Sequence, residues 1–394
     1  MRQPILVDLF AGGGGLSHGF EQAGFIVGAG VDSNAMALAT FALNHPHGRT
    51  IEADLAITPP DQLADLVGIA PGEIACLVGG PPCQGFSRNR AFNHVNGVFV
   101  EDTRNDLYWR FFEYVAYWRP STVVLENVPE ILTRKDGVFH AAILERFHRL
   151  GYAVEAKVLN AAEFGVPQSR HRAFFIAGRD RQRIPFPSPT TTPGPRAGHR
   201  TPTSSEYAFA KPRTQPTLPL GDSVPLGPTV WDAIGDLCGV YADTLYTTCA
   251  YSTDPQNPYQ AARRWAGHSV TNHFPWNMST HQLSRMIQLG QGEGVLHLPA
   301  ELRPKSSYGS AYRRLQADAQ ALTLTTFLFH PGSGMFTHPY ENRVLTIREA
   351  ARLQSFQDSF QFRGRYHEQC RQVGNAVAPL VAFHLAKAIL PFVS

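Results

Sequence analysis

Along the first 178 residues, short apolar runs alternate with segments whose apolar positions recur every three or four residues. ILVDLF, FIVGAGVD, IACLVGG, TVVLENV, AVEAKVLN and RAFFIAG read as buried strands, each closed by glycine, proline or polar residues. Between them, LSHGFEQAG, NAMALATFALN, DLYWRFFEYVAYW and VFHAAILERFHRLG read as amphipathic helices. Strand–helix alternation at this spacing predicts an α/β fold: βαβ units forming a mainly parallel sheet with helices on both faces.

At residue 184 the pattern breaks. Residues 185–228 carry 11 of the 30 prolines, interleaved with threonine, serine and glycine, and read as linker. Residues 230–320 mix aromatic, basic and histidine-containing segments with little periodicity, which predicts a smaller irregular domain. Helical spacing returns in LTIREAARLQSF (345–356), with Ala350, Leu353 and Phe356 on one side, and in VAPLVAFHLAKAIL (377–390). The expected division is 1–180, 181–325 and 326–394.

Composition narrows the class. With 394 residues, 43% hydrophobic and 17% charged, the chain suits a soluble protein with a sizeable core. No apolar run approaches the roughly 18 residues of a membrane span, and MRQPILVDLF leads straight into a strand, so a cytoplasmic, membrane-free protein is expected. Five cysteines, an odd number without a C-x-x-C pair, argue against a disulfide framework and a zinc site and fit a reducing compartment. The net charge is only +3, but residues 178–320 hold 14 Lys/Arg against 10 Asp/Glu. Only five of the 35 basic residues are lysine, and arginine is the better fork for phosphate and guanine edges, although GC-rich coding produces the same skew.

The candidate chemistry sits at the strand ends. DLFAGGGGLSHGF (8–20) places glycines between the first strand and the first helix, where backbone amides can meet a ligand. Asp32 ends the second strand 20 residues after Gly12, the usual place for ribose hydroxyls. The G-x-G-x-x-G phosphate fingerprint fails from Gly12, Gly13 or Gly14, at Ser17, His18 or Leu16. A site for adenosine without phosphates suits S-adenosylmethionine better than NAD; a glycine turn without a ligand is the alternative. In GGPPCQGFSRNR (79–90), Pro81 and Pro82 stiffen the approach to Cys83. That stretch is either a rigid nucleophile mount beside a moving flap or a surface turn with an idle cysteine. Glu126 closes the TVVLEN strand, where partial desolvation would let it hold a proton, unless it is merely an exposed turn residue. Gln168, Arg170 and Arg172 alternate before the last strand, which predicts one shared face towards the same crevice, or a solvated strand edge.

Taken in order, DLFAGGGG, GGPPCQGFS, ENV, QSRHR, REAARLQSF and VGNAVAP resemble the C5-cytosine DNA methyltransferase family, closely over residues 4–178 and about 320–390. Ala378, Gln357, Leu324 and Ser33 depart from the family's usual residues without removing a chemical group. The resemblance implies a Rossmann-like class I methyltransferase sheet with a small target-recognition domain in 181–325, and a C-terminal segment returning to the catalytic domain. It implies Cys83 as nucleophile on a flipped cytosine, Glu126 as its acid, and Arg170 and Arg172 steadying the pocket. Cofactor contacts carry over to Phe10, Ala11, Gly12, Gly13, Gly15, Asp32, Asp54, Leu55, Pro82, Leu107, Asn375 and Val377. Gln84, Ser87 and Arg88 are expected on the target strand, with Arg263, Arg264, Asn272, His273, Arg313 and Arg314 as further DNA contacts. The implied partners are S-adenosylmethionine, double-stranded DNA and, where a restriction system exists, its endonuclease; the chain is expected to act as a monomer without metal. An RNA C5-cytosine methyltransferase, a silent DNA-binding relative and a Cys-His hydrolase are the rival readings.

Overall fold

The computed structural model describes residues 3–82, 106–195, 224–240, 248–305, 307 and 309–393. Seven strands build the central sheet: β1 Ile5–Leu9, β2 Ile26–Asp32, β3 Arg49–Glu52, β4 Cys76–Gly79, β5 Thr122–Asn127, β6 Ala153–Asn160 and β8 His171–Gly178. A two-residue strand, β7 Gln168–Ser169, precedes β8 and pairs elsewhere. The spatial order is β3-β2-β1-β4-β5-β8-β6, with the first five strands parallel and β8 antiparallel to both neighbours.

That antiparallel strand matters for the site. The start of β8 lies beside the carboxyl end of β5, with Phe174 opposite Glu126 and Ala173 opposite Asn127. Residues entering β8 therefore reach the rim where the parallel strands end.

Period-two alternation sends each strand's side chains into two cores. On one face, Leu77, Val123 and Leu125 meet α3 Pro60–Val67, α4 Asp106–Trp118, α5 Glu130–Thr133 and α6 Val138–Arg149. On the other, Cys76, Val78 and Val124 meet α1 Gly15–Ala23, Phe41 of α2 Ala35–Asn44, and α12 Pro379–Ile389. Helix α12 lies directly on α1: a Cβ at Gly19 would stand 2.3 Å from the Pro379 carbonyl oxygen. Within the helical run Tyr366–Phe392, a stretch is long and apolar enough to cross a membrane by composition; half of it is buried inside the protein, as this packing requires.

A third core gathers the rest. Val230, Ala233 and Ile234 of α7 Val230–Ile234 pack with Leu315, Leu324, Phe336, and with Ala350 and Leu353 of α10 Ile347–Leu353. Val373 of α11 Tyr366–Asn375 closes it. Residues 345–373 thus share a core with 230–237, and the chain returns to the sheet through Val377 and α12. The short elements β9 Thr248–Cys249, α8 Pro258–Arg263, β10 Val270–Thr271, α9 Thr280–Met286 and β11 Ala321–Leu322 complete this lobe.

One expectation needs correcting. Cys238 and Cys249 form a disulfide, closing a loop of sequence separation 11. Cysteine count and spacing could not reveal it because the folded lobe, and not a sequence motif, brings the two sulfurs together; Cys249 sits on β9 opposite Val270 of β10. His273 lies close enough to both sulfurs to complete a metal triad. Its nitrogens are already used: Nε2 meets the Cys238 carbonyl at 2.8 Å and Nδ1 the Thr346 hydroxyl at 2.7 Å. This geometry favours the covalent pair over a metal ion.

Candidate active site

A cavity of about 490 Å³ opens at the carboxyl rim of β1, β2, β4 and β5. The glycine turn forms its floor. Phe10 (φ 64°) and Gly12 (φ 54°) both take left-handed backbone, an expensive conformation for a bulky Phe that often marks a functional turn. A Cβ at Gly12 would meet nothing within 4 Å, so that glycine leaves open space beside the ligand. The Gly12 amide donates to Asp32 Oδ2 at 2.9 Å and the Asn34 amide to Oδ1 at 2.8 Å, fixing the carboxylate at the wall.

Phe10, Ala11, Gly12, Gly13, Gly15, Asp32, Asp54, Leu55, Pro82, Leu107, Asn375 and Val377 all line this cavity, as do Glu126 and Arg172. Sequence reasoning missed Asp8, Asn34, Glu368, Arg371 and Gln372 in the same wall, where Ser33, noted as a departure from the family, also lies. Asp8 had a signal: it opens the DLFAGGGG motif and was read as strand. Its carboxyl is buried, accepts the Ser17 hydroxyl at 2.7 Å, and is pushed up to about 7, chiefly by burial. The α11 residues had none, because their approach depends on how the second lobe packs against the sheet.

Glu126 and Arg172 form the polar end of the cavity, Nε to Oε1 at 3.0 Å, with the carboxylate side chain 14% exposed. Burial raises the Glu126 pKa, and Arg172 and Arg170 only partly offset it. The turn before Cys83 comes close: a Cβ at Gly80 would lie 3.0 Å from Glu126 Oε2. Asn127 Nδ2 holds the Pro81 carbonyl at 3.0 Å. The proline mount is thus pinned to the strand that carries Glu126. Cys83, Gln84, Ser87 and Arg88 themselves lie outside the described residues.

Arg170 does not share this face with Arg172, contrary to the period-two expectation. The strand breaks between β7 and β8, and Arg170 points to the second lobe, donating to the Leu324 and Gly374 carbonyls at 3.0 and 2.8 Å. Gln168 follows it, bonding Leu324, Leu353 and Gln354. Both residues join the lobes.

Five of the expected DNA contacts are also spent internally. Arg263 is buried and donates to Ser355; Arg264 pairs with Asp236 at 2.8 Å and covers the Tyr251 ring. Asn272 bridges Phe362 and Gln369, and His273 is buried as described above. Arg314 donates to the Leu289, His338, Glu341 and Met286 carbonyls and to Asn342. Loops without regular structure satisfy their carbonyls with arginine forks, and composition cannot distinguish such an arginine from a phosphate-binding one. Arg313 differs in another way: its Nε and Nη1 are buried and, among the described residues, have no hydrogen-bond partner.

An α/β sheet with a glycine turn after β1, an acid at the end of β2 and an acid–arginine pair at the β5–β8 rim places its candidate chemistry in one crevice at the strands' carboxyl ends, the ligand site of open α/β sheets. The family described as C-5 cytosine-specific DNA methylase matches residues 5–391, and the chain belongs to it. Among its relatives, the type II methyltransferase M.AgeI of Thalassovita gelatinovora is 31% identical, covering 97% of this chain and 98% of its own. M1.HphI of Haemophilus parahaemolyticus is 34% identical over 98% and 86%. A solved putative DNA modification methyltransferase from an E. coli prophage has the same fold, with TM-score 0.71 at 24% identity over 99% of both chains. The enzyme is of the DNA (cytosine-5-)-methyltransferase type.

Proposed function

We propose that this chain methylates C5 of a cytosine within a short duplex DNA sequence, using S-adenosylmethionine and a covalent Cys83 adduct. The observation that carries the reading is the partly buried Glu126–Arg172 pair beside the pinned Gly80–Pro82 turn.

The cavity fits the cofactor's charge. Among the described residues, Asp8, Asp32 and Asp54 line it, no lysine does, and the cations present are Arg172 at the base end and Arg371. Such a wall suits an ammonium, a sulfonium and ribose hydroxyls, and repels a pyrophosphate. When bound, S-adenosylmethionine supplies an electrophilic methyl group.

A stacked cytosine hides C6, so the base must leave the duplex to meet Cys83. The Cys83 thiolate adds to C6. Glu126, kept towards its protonated form by burial, donates at N3 and accepts from the exocyclic amine as that addition proceeds. Arg172 holds Glu126 in place and faces the pyrimidine O2. Loss of the C5 proton after methyl transfer then expels Cys83. Arg170 supports this site by anchoring the second lobe, and no step calls for a metal. Gln84, Ser87, Arg88 and Arg313 are the DNA contacts in this reading. The chain acts as a monomer, with a cognate restriction endonuclease as its counterpart.

Cytosine-resolved methylation mapping of plasmid from a methylation-free host is the test. Modified cytosines confined to one short sequence are expected, absent with Cys83→Ser and reduced about 10²–10⁴-fold with Glu126→Gln. Unmodified plasmid from soluble, cofactor-binding protein would exclude DNA as substrate, and RNA would be tested next.

A further inference from the structure

The four consecutive glycines do not have the same neighbour. Gly12 faces open space, Gly13 rests on Thr40 and Gln372, and Gly15 would press on the Val377 carbonyl. Gly14 (φ 93°) is absent from the cavity wall; a Cβ there would stand 2.7 Å from His45 Nε2. The missing side chain at Gly14 therefore makes room for a histidine rather than for ligand.

His45 caps the carboxyl end of α2 and is buried. Its Nε2 meets the Gly14 carbonyl at 3.3 Å and its Nδ1 meets Glu21 Oε2 at 2.9 Å. A carbonyl and a carboxylate only accept, so both ring nitrogens carry hydrogen in this arrangement. The Gly14 carbonyl also accepts the His18 amide at 2.8 Å, the first bond of α1. With two donors that oxygen is saturated, and the turn's last peptide is fixed from both sides.

We propose that His45 is a positioning residue for the cofactor turn: doubly protonated and paired with Glu21, it locks the Gly14 carbonyl and so holds Gly12, Gly13 and Gly15 against the cofactor. The inference rests on the S-adenosylmethionine reading above. A ring without the Nε2 hydrogen would set its lone pair against the carbonyl's, and the turn would have to open. The charged and titratable groups nearest the ring are Glu21, bonded to Nδ1, and His18. Glu21 lies below the usual carboxylate range: burial raises it, and the His45 bond and charge outweigh that, with smaller help from His18 and His47. His18, 6.1 Å away ring to ring, is lowered to about 4 by burial and then by the His45 charge, with Arg263 adding to the repulsion.

Calorimetric affinity for S-adenosylhomocysteine is the primary readout, on the full chain and without turnover. His45→Gln is expected to weaken binding at least tenfold, and Glu21→Gln, at a partly exposed site that should not disturb folding, about threefold. In turnover, KM for the cofactor rises while kcat and KM for DNA hold. ¹⁵N NMR of the imidazoles should show one histidine, missing in His45→Gln, with both nitrogens protonated, losing one of those protons in Glu21→Gln. Unchanged affinity in Glu21→Gln, or a bare nitrogen on His45 in the wild type, overturns the proposal, even if His45→Gln does not fold. Wild-type protein that fails to bind S-adenosylhomocysteine overturns the cofactor reading itself, and this inference with it.

Discussion

Glu126 and Asp8 are two buried carboxylates in one cavity, and their surroundings give them different work. Glu126 has Arg172 at 3.0 Å, so its charge is partly compensated and its proton can be exchanged with a base. For Asp8, burial, with Asp32 adding repulsion, outweighs the hydrogen bonds from Ser17 and pushes it from 3.8 to about 7. A carboxyl raised in the fold adds stability below its unfolded pKa and loses it as pH rises through the folded one. For Asp8 the loss runs from about pH 4 to about pH 7, and a shift of roughly three units is worth on the order of 4 kcal/mol. Asp8→Asn imitates the protonated form. Urea denaturation from pH 4 to 8 should therefore show the variant gaining stability relative to the wild type as pH rises. A constant difference across that range would place the Asp8 proton elsewhere.

Elements follow from sequence where one pattern dominates. The six apolar runs became β1, β2, β4, β5, β6 and β8, most of them buried on both faces; β6, at the sheet edge, is buried only over its last three residues. Strand β3 was missed since RTIE has only Ile51 buried, and an edge strand needs no apolar run. Helix α3 was missed although Pro59 and Pro60 start it and Gly68 ends it at φ 66°. Helix–helix contacts were not legible at all, and Gly19 shows why. Inside α1, alanine is favoured over glycine by about 1 kcal/mol on propensity alone. Against α12 the added Cβ would stand 2.3 Å from a backbone oxygen and 2.5 Å from Ala382 Cβ, and overpacking of that kind costs roughly 1–3 kcal/mol. Packing wins, so Gly19→Ala should lower the melting temperature by several degrees. A rise would mean α12 can shift away from α1 without loss.

At the scale of the molecule, the catalytic half was legible because its motifs sit at strand ends, whose positions the βαβ rhythm fixes. The second lobe was not, since arginine forks to backbone carbonyls replace regular structure there, and such forks leave no periodic trace. Arg352 shows what holds that lobe. Fully buried on α10, it donates to Asp358 Oδ1 and Oδ2 at 2.7 and 2.6 Å, and to Asp236 and the Ala233 carbonyl of α7 at 3.2 and 2.9 Å. Burial would raise the Asp358 pKa, but the Arg352 bonds and charge bring it below its usual value. In the wild type this carboxylate therefore adds stability above its unfolded pKa and loses it on acidification. Arg352→Met keeps the volume but takes the two-pronged partner from Asp358, leaving it Tyr251 and Arg348, while Asp236 keeps Arg264; the cost near neutral pH should approach the roughly 3 kcal/mol of a broken buried pair. With Arg352 gone, Asp358 loses the bonds and charge that offset its burial, and its folded pKa moves up towards its unfolded value, so its share of the pH dependence shrinks. The stability gap between variant and wild type should narrow as pH falls from 7 towards 4, read from denaturation midpoints. A gap that stays constant would show that Arg352 works through packing of its stem, and that the two aspartates find other partners.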